Sequence, residues 1–254
     1  MDITPYLNLL RDKSGSDLFF TVGAPVKVKI EGTINSVGKT QLTGDIVKAA
    51  AYGIMNDKQI ESFEETMECD FAIALPDKSA RFRVNIFRQR GEVSMVLRRI
   101  PADIPTIEQL GLPEILSEMI MHKRGLILMV GATGSGKSTT LAAMLNERNR
   151  QMTGHILTIE DPVEFSHPNL KSIVNQREVG VDTLNYRNAL KASLREAPDV
   201  ILIGEIRDRE TMEAALELCN TGHLAISTLH ANNANQAMER VINLFPQDLH
   251  KQLF

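Results

Sequence analysis

The sequence is poor in cysteine and has no long apolar segment. Cys69 and Cys219 are its only cysteines and do not form a C-x-x-C pair, which excludes a disulfide framework and a cysteine-based zinc site. No apolar run approaches the roughly 20 residues that a membrane-spanning helix needs. The N-terminus also lacks the charged and then apolar layout of a signal peptide. These absences are typical of a cytosolic protein and predict no integral membrane segment.

A strong excess of charge of one sign is also missing. The 254 residues contain 28 lysines and arginines against 32 aspartates and glutamates, which gives a net charge of −4. This balance provides no bulk attraction to nucleic acid, and we expect no nucleic-acid partner. A hydrophobic content of 43% is that of a soluble globular protein, and the length suits one large domain or two ordinary ones.

The first hundred residues have the pattern of a mixed domain of helices and strands. An amphipathic helix is predicted over Ile3 to Leu10, and two more helices between Thr43 and Glu65. The predicted strands are "DLFFTVG", "VKVKIEGTI", "CDFAIAL", "RFRVNIFRQR" and "EVSMVLRRI". Short turns between the last three strands predict an antiparallel sheet with helices on one side.

Three prolines, Pro101, Pro105 and Pro113, mark a change of pattern and predict a linker. Beyond them, apolar strands alternate with amphipathic helices, which favours a parallel sheet covered on both faces. We therefore expect an α/β protein: an N-terminal α+β domain over residues 1–100, a linker over 101–113, and a second domain with a mainly parallel sheet over 114–254.

The strongest motif is the glycine loop "GATGSGKS" at residues 131–138, which matches G-x-x-x-x-G-K-[ST]. Glycines let backbone N–H groups approach phosphate oxygens, and the predicted following helix directs its positive end at them. Lys137 is expected to reach the β- and γ-phosphates of a nucleotide, and Ser138 to ligate Mg²⁺. The predicted phosphate-binding residues of the loop are Gly131, Ala132, Thr133, Gly134, Ser135, Gly136, Lys137 and Ser138.

Hydrolysis of a nucleotide also needs an acid at the end of a neighbouring strand. Glu205 occupies that position in "DVILIGE", although it could instead cap the following helix. The segment "TIEDPVEF" supplies Glu160, Asp161 and Glu164 after another predicted strand, where a carboxylate could position the attacking water. The alternative for this segment is a turn with solvated acids.

Two histidines, His223 and His230, bracket the predicted strand "HLAISTLH". They are seven residues apart on one strand, so they cannot share a metal ion without a reversal of the chain. From the residues alone, a hydrogen-bonded histidine at a strand end is the favoured explanation of each of them, ahead of a functional role.

The motifs in this order resemble a known family, the secretion-type ATPases of bacterial type IV pili. Within them the sequence is most similar to the retraction branch, the PilT/PilU family, and to its PilU subgroup. The resemblance spans essentially the whole chain. The matching segments include "GATGSGKSTTLAAML", "HILTIEDPVEF", "LREAPDVILIGEIRDRETM" and "TGHLAISTLHANNA".

The resemblance implies a fold and an activity. It implies a PAS-like N-terminal domain and a RecA-like P-loop ATPase domain, assembled as a hexameric ring. The ring would use Mg²⁺ and hydrolyse ATP to ADP and phosphate, and so power pilus retraction, pilus disassembly and twitching motility. The implied partners are further copies of the chain, an inner-membrane pilus platform protein and a second retraction ATPase. The implied location is the cytoplasmic side of the bacterial inner membrane.

The resemblance also assigns roles to individual residues. Thr139 joins Lys137 and Ser138 at the phosphates. Catalytic roles follow for Glu164 as the base, for Glu205 as the Walker B glutamate, and for His223 and His230. The residues expected near Mg²⁺, directly or through water, are Ser138, Glu160, Asp161 and Glu205.

Basic strands of the N-terminal domain complete the predicted site. Residues 81–99 contain six arginines and a single acid. Arg83 and Arg98 match the family's arginine-finger positions, where a guanidinium neutralises charge on the transferred phosphoryl group. The alternative is that these are ordinary solvated or salt-bridged arginines of an exposed sheet.

Other functions stay open at this point. One is a nucleotide-binding accessory subunit of another pilus motor, with little hydrolysis of its own. An extension or type II secretion ATPase is disfavoured, because the chain has neither an extra N-terminal domain nor a four-cysteine metal loop. Members of the retraction branch continue beyond "FPQDLHKQLF", so we expect the helices that complete the C-terminal domain to be missing from these 254 residues.

Overall fold

A computed structural model describes residues 1–101 and 103–247, and the chain divides into two units after Pro101. This residue is the first of the three prolines that predicted a linker. Residues 102 and 248–254, which belong to the predicted linker and second domain, lie outside the described residues.

The first unit combines a six-stranded sheet with three helices. The strands are β1 (Asp17–Phe20), β2 (Val26–Ile30), β3 (Thr33–Val37), β4 (Glu68–Ala74), β5 (Arg81–Gln89) and β6 (Glu92–Ile100). The helices are α1 (Thr4–Asp12), α2 (Gly44–Tyr52) and α3 (Asp57–Thr66). The strand order is β3-β2-β1-β6-β5-β4, and all neighbours are antiparallel. The predicted antiparallel sheet is confirmed.

Alternation along the strands positions the core of this unit. Phe82, Val84 and Ile86 of β5 are fully buried and join residues of all three helices in one apolar cluster. The intervening Arg81 and Arg83 are only partly covered. One sheet face therefore carries the core with the helices, and the other face carries the arginines.

One predicted strand is in fact two. The run "VKVKIEGTI" is divided into β2 and β3, because Glu31 and Gly32 adopt left-handed backbone conformations with φ of +48° and +80°. The turn reverses the chain and pairs Ile30 with Thr33. A two-residue turn preserves the alternation of apolar residues, so the pattern alone does not reveal it.

Over residues 103–247, the second unit is built on a five-stranded parallel sheet. Its strands are β7 (Gly125–Val130), β8 (Gly154–Glu160), β9 (Ser172–Glu178), β10 (Val200–Ile203) and β11 (Leu224–Leu229), in the order β7-β11-β10-β8-β9. Every neighbouring pair is parallel. Its helices are α4 (Ile115–Ile120), α5 (Lys137–Gln151), α6 (Tyr186–Ser193), α7 (Arg209–Asn220) and α8 (Ala234–Asn243).

Helices cover both faces of this sheet, as predicted. One apolar cluster joins sheet residues such as Ile156 and Leu202 to α4 and α5, and a second joins Leu157 and Ile203 to α6, α7 and α8. Parallel strands place their carboxyl ends at one edge. The glycine loop and the segments after β8, β10 and β11 therefore meet there. The predicted α/β fold is confirmed.

Two buried polar residues anchor the far end of α5. Arg148, 4% exposed, donates through Nη1 to Ile120 O at 2.6 Å and His122 O at 2.9 Å. Asn149, fully buried, donates to Pro168 O at 2.7 Å and accepts the N–H groups of Leu170 and Ser172. The helix that starts at the glycine loop is thus fastened to two other chain segments at its opposite end.

Part of the predicted linker packs within the second unit. Ile107 is 5% exposed and belongs to the cluster that contains α4 and α5, with Leu110 and Leu112 against it. Among the described residues, no helix combines the length and the apolar character that crossing a membrane requires.

Candidate active site

The glycine loop lies between β7 and α5, and its backbone requires glycine. Gly134 and Gly136 have φ values of +77° and +91°, which side chains disfavour. At Gly131, a Cβ atom would lie 2.6 Å from Ser135 Oγ. Gly136 caps α5 without a side-chain acceptor, which leaves the first N–H groups of the helix for an external anion. The loop therefore fits a phosphate group.

Lys137 starts α5 and lies against the loop. Its Nζ donates to Gly131 O and Ala132 O, both at 2.9 Å. Ser138 and Thr139 follow in the first turn of the helix and are partly exposed. The amine, the hydroxyls and the free helix start form the donor set that a nucleotide's phosphates require.

A cavity of about 380 Å³ opens beside this loop. It brings together predicted site residues from the loop, from the ends of β8 and β10, and from the end of β11. Those that line it are Thr133, Gly134, Lys137, Ser138, Glu160, Asp161, Glu164, Glu205 and His230.

Glu205 emerges after β10, and two cationic or polar side chains hold its carboxylate. Oε2 lies 2.8 Å from Arg207 Nε, and Oε1 lies 3.1 Å from His230 Nε2. The Glu205 side chain is 17% exposed. His230 is fixed in turn, because its carbonyl accepts from Arg240 Nη1 at 2.9 Å. The acid is therefore oriented by residues that follow two neighbouring strands.

Glu160 ends β8 and is more deeply placed. Its Oε1 accepts Thr158 Oγ1 at 2.6 Å and Gln176 Nε2 at 3.2 Å, and its Oε2 accepts the Glu164 N–H at 3.4 Å. Burial raises the pKa of Glu160, and these hydrogen bonds oppose the rise. Both oxygens are engaged by protein donors, whereas Asp161 and Glu164 are exposed. Of the two acids of this segment predicted near Mg²⁺, Asp161 is the better placed to reach an ion.

The donors available to a metal ion suit Mg²⁺. Among residues 1–101 and 103–247, no group of three or more His, Cys, Asp and Glu side chains forms a metal cage. Mg²⁺ commonly needs only one or two protein oxygens, since substrate phosphates and waters complete its shell. The Ser138 hydroxyl and the carboxylates of Asp161 and Glu205 provide such oxygens at the cavity.

Several lining residues were not predicted from the sequence. Burial lowers the pKa of the His167 imidazole to about 4, and burial raises the pKa of the Tyr186 phenol well above its usual value. Tyr186 fits because Gly204 has no side chain: a Cβ there would lie 2.8 Å from its hydroxyl. The remaining unpredicted polar lining residues are Arg207 and Thr228.

His223 lies elsewhere. It precedes the six-residue strand β11 whereas His230 follows it, and a strand of that length separates them by about 20 Å. The Nδ1 atom of His223 lies 3.0 Å from Thr221 Oγ1 and 3.1 Å from Leu218 O. The structure therefore does not bring His223 to the cavity, because the two ends of a parallel strand lie at opposite edges of the sheet.

Arg83 and Arg98 lie side by side in the first unit, as directly paired residues of β5 and β6. Arg83 contacts Asp70 at 3.4 Å, and Arg98 contacts the buried Asp17 at 2.8 Å. Their side chains remain 40% and 72% exposed. The two acids offset the repulsion of two adjacent guanidiniums while leaving the arginines accessible.

The fold and the cavity define a P-loop nucleotide-binding protein of the α/β class. The family described as type II/IV secretion system protein matches residues 7–249, and the chain belongs to this family. The family predicted from the sequence is therefore confirmed.

Two individual proteins of this family are similar to the chain over nearly its whole length. The type IV pilus ATPase PilU of Pseudomonas aeruginosa is 52% identical over the whole chain, which spans 66% of that protein. The pilus retraction ATPase PilT of the same organism is 46% identical over 98% of the chain, which spans 72% of that protein. The chain is thus homologous to these ATPases and spans about two thirds of their length.

A solved structure agrees with these relatives. The crystal structure of the pilus retraction motor PilT with bound ADP superposes on the whole chain with a TM-score of 0.93 at 43% identity. The chain covers 74% of that structure.

Proposed function

We propose that this chain is an ATPase of type IV pilus retraction, which converts ATP and water to ADP and phosphate and powers pilus disassembly and twitching motility. The placement of Glu205 carries the proposal: it shares one cavity with Lys137 and Ser138. A phosphate loop facing an acid at a strand end is the arrangement that nucleotide hydrolysis needs. The ADP named with the similar PilT structure supports the same ligand class.

The loop residues bind the substrate's phosphates, with the Lys137 amine and the start of α5 neutralising their charge. When bound, Mg²⁺ supplies further charge neutralisation at the phosphates, and Ser138, Asp161 and Glu205 would hold it, directly or through water. Glu164, exposed on the cavity wall, accepts the proton of the attacking water. His230 acts through Glu205 by orienting its carboxylate.

The active form is a ring of six copies. Arg83 and Arg98 supply charge to the phosphoryl group at the site of an adjacent copy, which their exposure on the sheet face permits. His223 does not line the cavity of its own subunit. Its predicted catalytic role stays a prediction. The ring works on the cytoplasmic side of the inner membrane with a pilus platform protein and a second retraction ATPase.

The first test is ATP hydrolysis measured against protein concentration, with particle size determined in the same samples. We expect turnover per chain to rise with concentration as a ring-sized species forms. Lys137→Ala should abolish nucleotide binding, whereas Glu205→Gln and Glu164→Gln should retain binding and lose turnover by about 100-fold or more.

A matched control is Glu213→Gln, which removes an exposed carboxylate paired with Arg209 on α7 and should leave turnover unchanged. Nucleotide binding without hydrolysis in a full-length ring would contradict the proposal and favour an accessory subunit. Wild-type turnover in Glu205→Gln would contradict the catalytic role assigned to Glu205.

The arginine assignment has its own test. Arg83→Ala should lower turnover without loss of nucleotide affinity, and so should Arg98→Lys. Lysine is used at position 98 because it keeps a cation beside the buried Asp17. Arg81→Ala, on the same face of β5, is the control. A loss in Arg81→Ala equal to that in Arg83→Ala would indicate a general effect of basic charge and contradict the finger assignment.

A further inference from the structure

The segment that carries Asp161 and Glu164 contains neither helix nor strand, yet a side chain of β9 holds it in place. Gln176 donates through Nε2 to Phe165 O at 2.8 Å and accepts the His167 N–H through Oε1 at 2.8 Å. A single amide thus satisfies a backbone acceptor and a backbone donor two residues apart. The contact replaces the pairing that a neighbouring strand would give.

The same amide also reaches the acid at the end of β8. Gln176 Nε2 lies 3.2 Å from Glu160 Oε1. The parallel register explains this proximity, because Gln176 is the direct partner of Thr158, whose hydroxyl donates to the same oxygen. The position of the acidic segment is therefore tied to the register of two strands.

Glu178 supports the beginning of the segment from the same face of β9. Its Oε2 accepts the Val163 N–H at 3.1 Å, and it is itself only 5% exposed. Val163 is buried as well. Glu164 lies between these two attachment points, and its side chain lines the cavity.

We propose that Gln176 is a positioning residue for ATP hydrolysis, assisted by Glu178, and that it holds residues 161–167 so that the Glu164 carboxylate faces the phosphate end of the nucleotide. The inference rests on the proposed function, since it needs Glu164 as the base. Gln176 acts through the segment and does not touch the substrate.

The principal variant is Gln176→Met, which keeps a side chain of similar length and removes all three hydrogen bonds. Misplacing a base by about 1 Å costs up to roughly 100-fold in rate, so we expect kcat to fall about 10- to 100-fold. The KM for ATP and the affinity for ADP should change by less than about twofold, because Gln176 is not among the residues that line the cavity beside the phosphate loop.

Arg177→Met is the matched control. Arg177 is the next residue of β9 and lies on the opposite face. The substitution removes its ion pair with Glu196, in which the charged atoms are 2.8 Å apart. Its kcat should equal that of the wild type. An equal loss of kcat in both variants would show that β9 matters only as a structural element and would overturn the proposal.

A double variant separates positioning from a general structural effect. In a Glu164→Gln background, Gln176→Met should cause no further loss of kcat, because the residue that it positions is already gone. Multiplying losses would mean that Gln176 acts independently of Glu164, and the proposal would fail.

Hydrogen exchange tests whether Gln176 holds residues 161–167, and it does so without a measurement of ATP hydrolysis. The amides of residues 161–167 should exchange faster in Gln176→Met and at the wild-type rate in Arg177→Met, measured by mass spectrometry. Unchanged exchange in Gln176→Met would overturn the proposal. A wild-type protein without hydrolysis, or Glu164→Gln with full turnover, would instead defeat the proposed function and leave the exchange result to decide whether Gln176 holds the segment.

Discussion

At the scale of single residues, His167 makes stability depend on pH. Burial lowers the pKa of its imidazole to about 4 in the folded protein, whereas an unfolded chain has an imidazole pKa of about 6.5. Between these values the unfolded state binds more protons, so the free energy of unfolding should fall as the pH drops from about 6.5 towards 4. Urea unfolding of the wild type and His167→Gln at pH 7 and pH 5 measures the effect.

We expect the wild type to lose more stability than His167→Gln over this interval. His122→Gln, which changes an exposed histidine, should behave like the wild type. The same loss in His167→Gln as in the wild type would show that other groups take up the protons.

A second prediction concerns the contact of Gly204 with Tyr186. Alanine at 204 would place its Cβ 2.8 Å from the Tyr186 hydroxyl and 3.3 Å from Glu160 Cα. Gly204→Ala should therefore lower the free energy of unfolding by roughly 1–3 kcal/mol. Tyr186→Phe removes the closest atom, and the double variant should recover part of the loss. Additive losses in denaturant unfolding would show that the backbone of Glu160 limits the space instead.

The residues that sequence analysis found and missed differ in the range of their contacts. The loop that contains Lys137 is a local motif, and Glu205 could be found because an acid at the end of an apolar strand is a local signal. Gln176 bonds to residues 9 to 16 positions away, and Tyr186 lies against Gly204, which is 18 positions away. Their roles depend on the register of β8 with β9 and on the close approach of Gly204, which no local pattern encodes.

At the scale of elements, the anchorage of α5 gives a third prediction. Asn149 is fully buried and makes three hydrogen bonds to the backbone of residues 168–172. Asn149→Ala leaves these groups without their partner, and we expect a loss of about 2–3 kcal/mol in the free energy of unfolding. Arg150→Ala, an exposed change on the same helix, should have little effect. A loss below about 0.5 kcal/mol for Asn149→Ala would mean that water replaces the amide.

Elements with an unbroken apolar period were the easiest to predict. The sequence pattern predicts helices over "KSTTLAAMLNERN" and "DRETMEAALELCN", and the ends of α5 and α7 lie within about two residues of these bounds, as is usual for such signals. The pattern also predicts a helix from Tyr186 to Ala197, but α6 ends at Ser193. Ala197 has a φ of +50°, which a helix does not accommodate. β9 went unpredicted, because its polar residues, such as Asn175 and Gln176, bond to neighbours across the sheet instead of alternating with apolar ones.

At the scale of the whole molecule, each unit has an apolar core of its own. Phe20, Phe63 and Phe82 lie in a cluster formed by the first unit alone. We therefore expect a fragment of residues 1–101 to fold without the rest of the chain and to unfold cooperatively on heating. Circular dichroism of the fragment checks this expectation. A gradual change without a transition would contradict it, and a Phe82→Ala fragment provides the destabilised reference.

The overall architecture followed from the order of predicted elements. Before Pro101 the predicted strands follow one another directly, which indicates an antiparallel sheet. After Pro101 strands alternate with helices, which indicates a parallel sheet. The order β7-β11-β10-β8-β9, by contrast, was not predicted, since it depends on which strands pack together after long connections. The exact composition of the cavity depends on that order, because it decides which strand ends lie beside the glycine loop.

The length of α5 has a mechanical consequence. Its 15 residues form a helix about 22 Å long that begins at the phosphate loop. Near its other end, Arg148 and Asn149 donate hydrogen bonds to two other chain segments. A tilt of about 5° at the loop end would displace the other end by about 2 Å, by the geometry of a rigid rod of that length. Because Arg148 and Asn149 tie the helix to residues 120–122 and 168–172, any tilt produced at the loop end would be carried to these two segments.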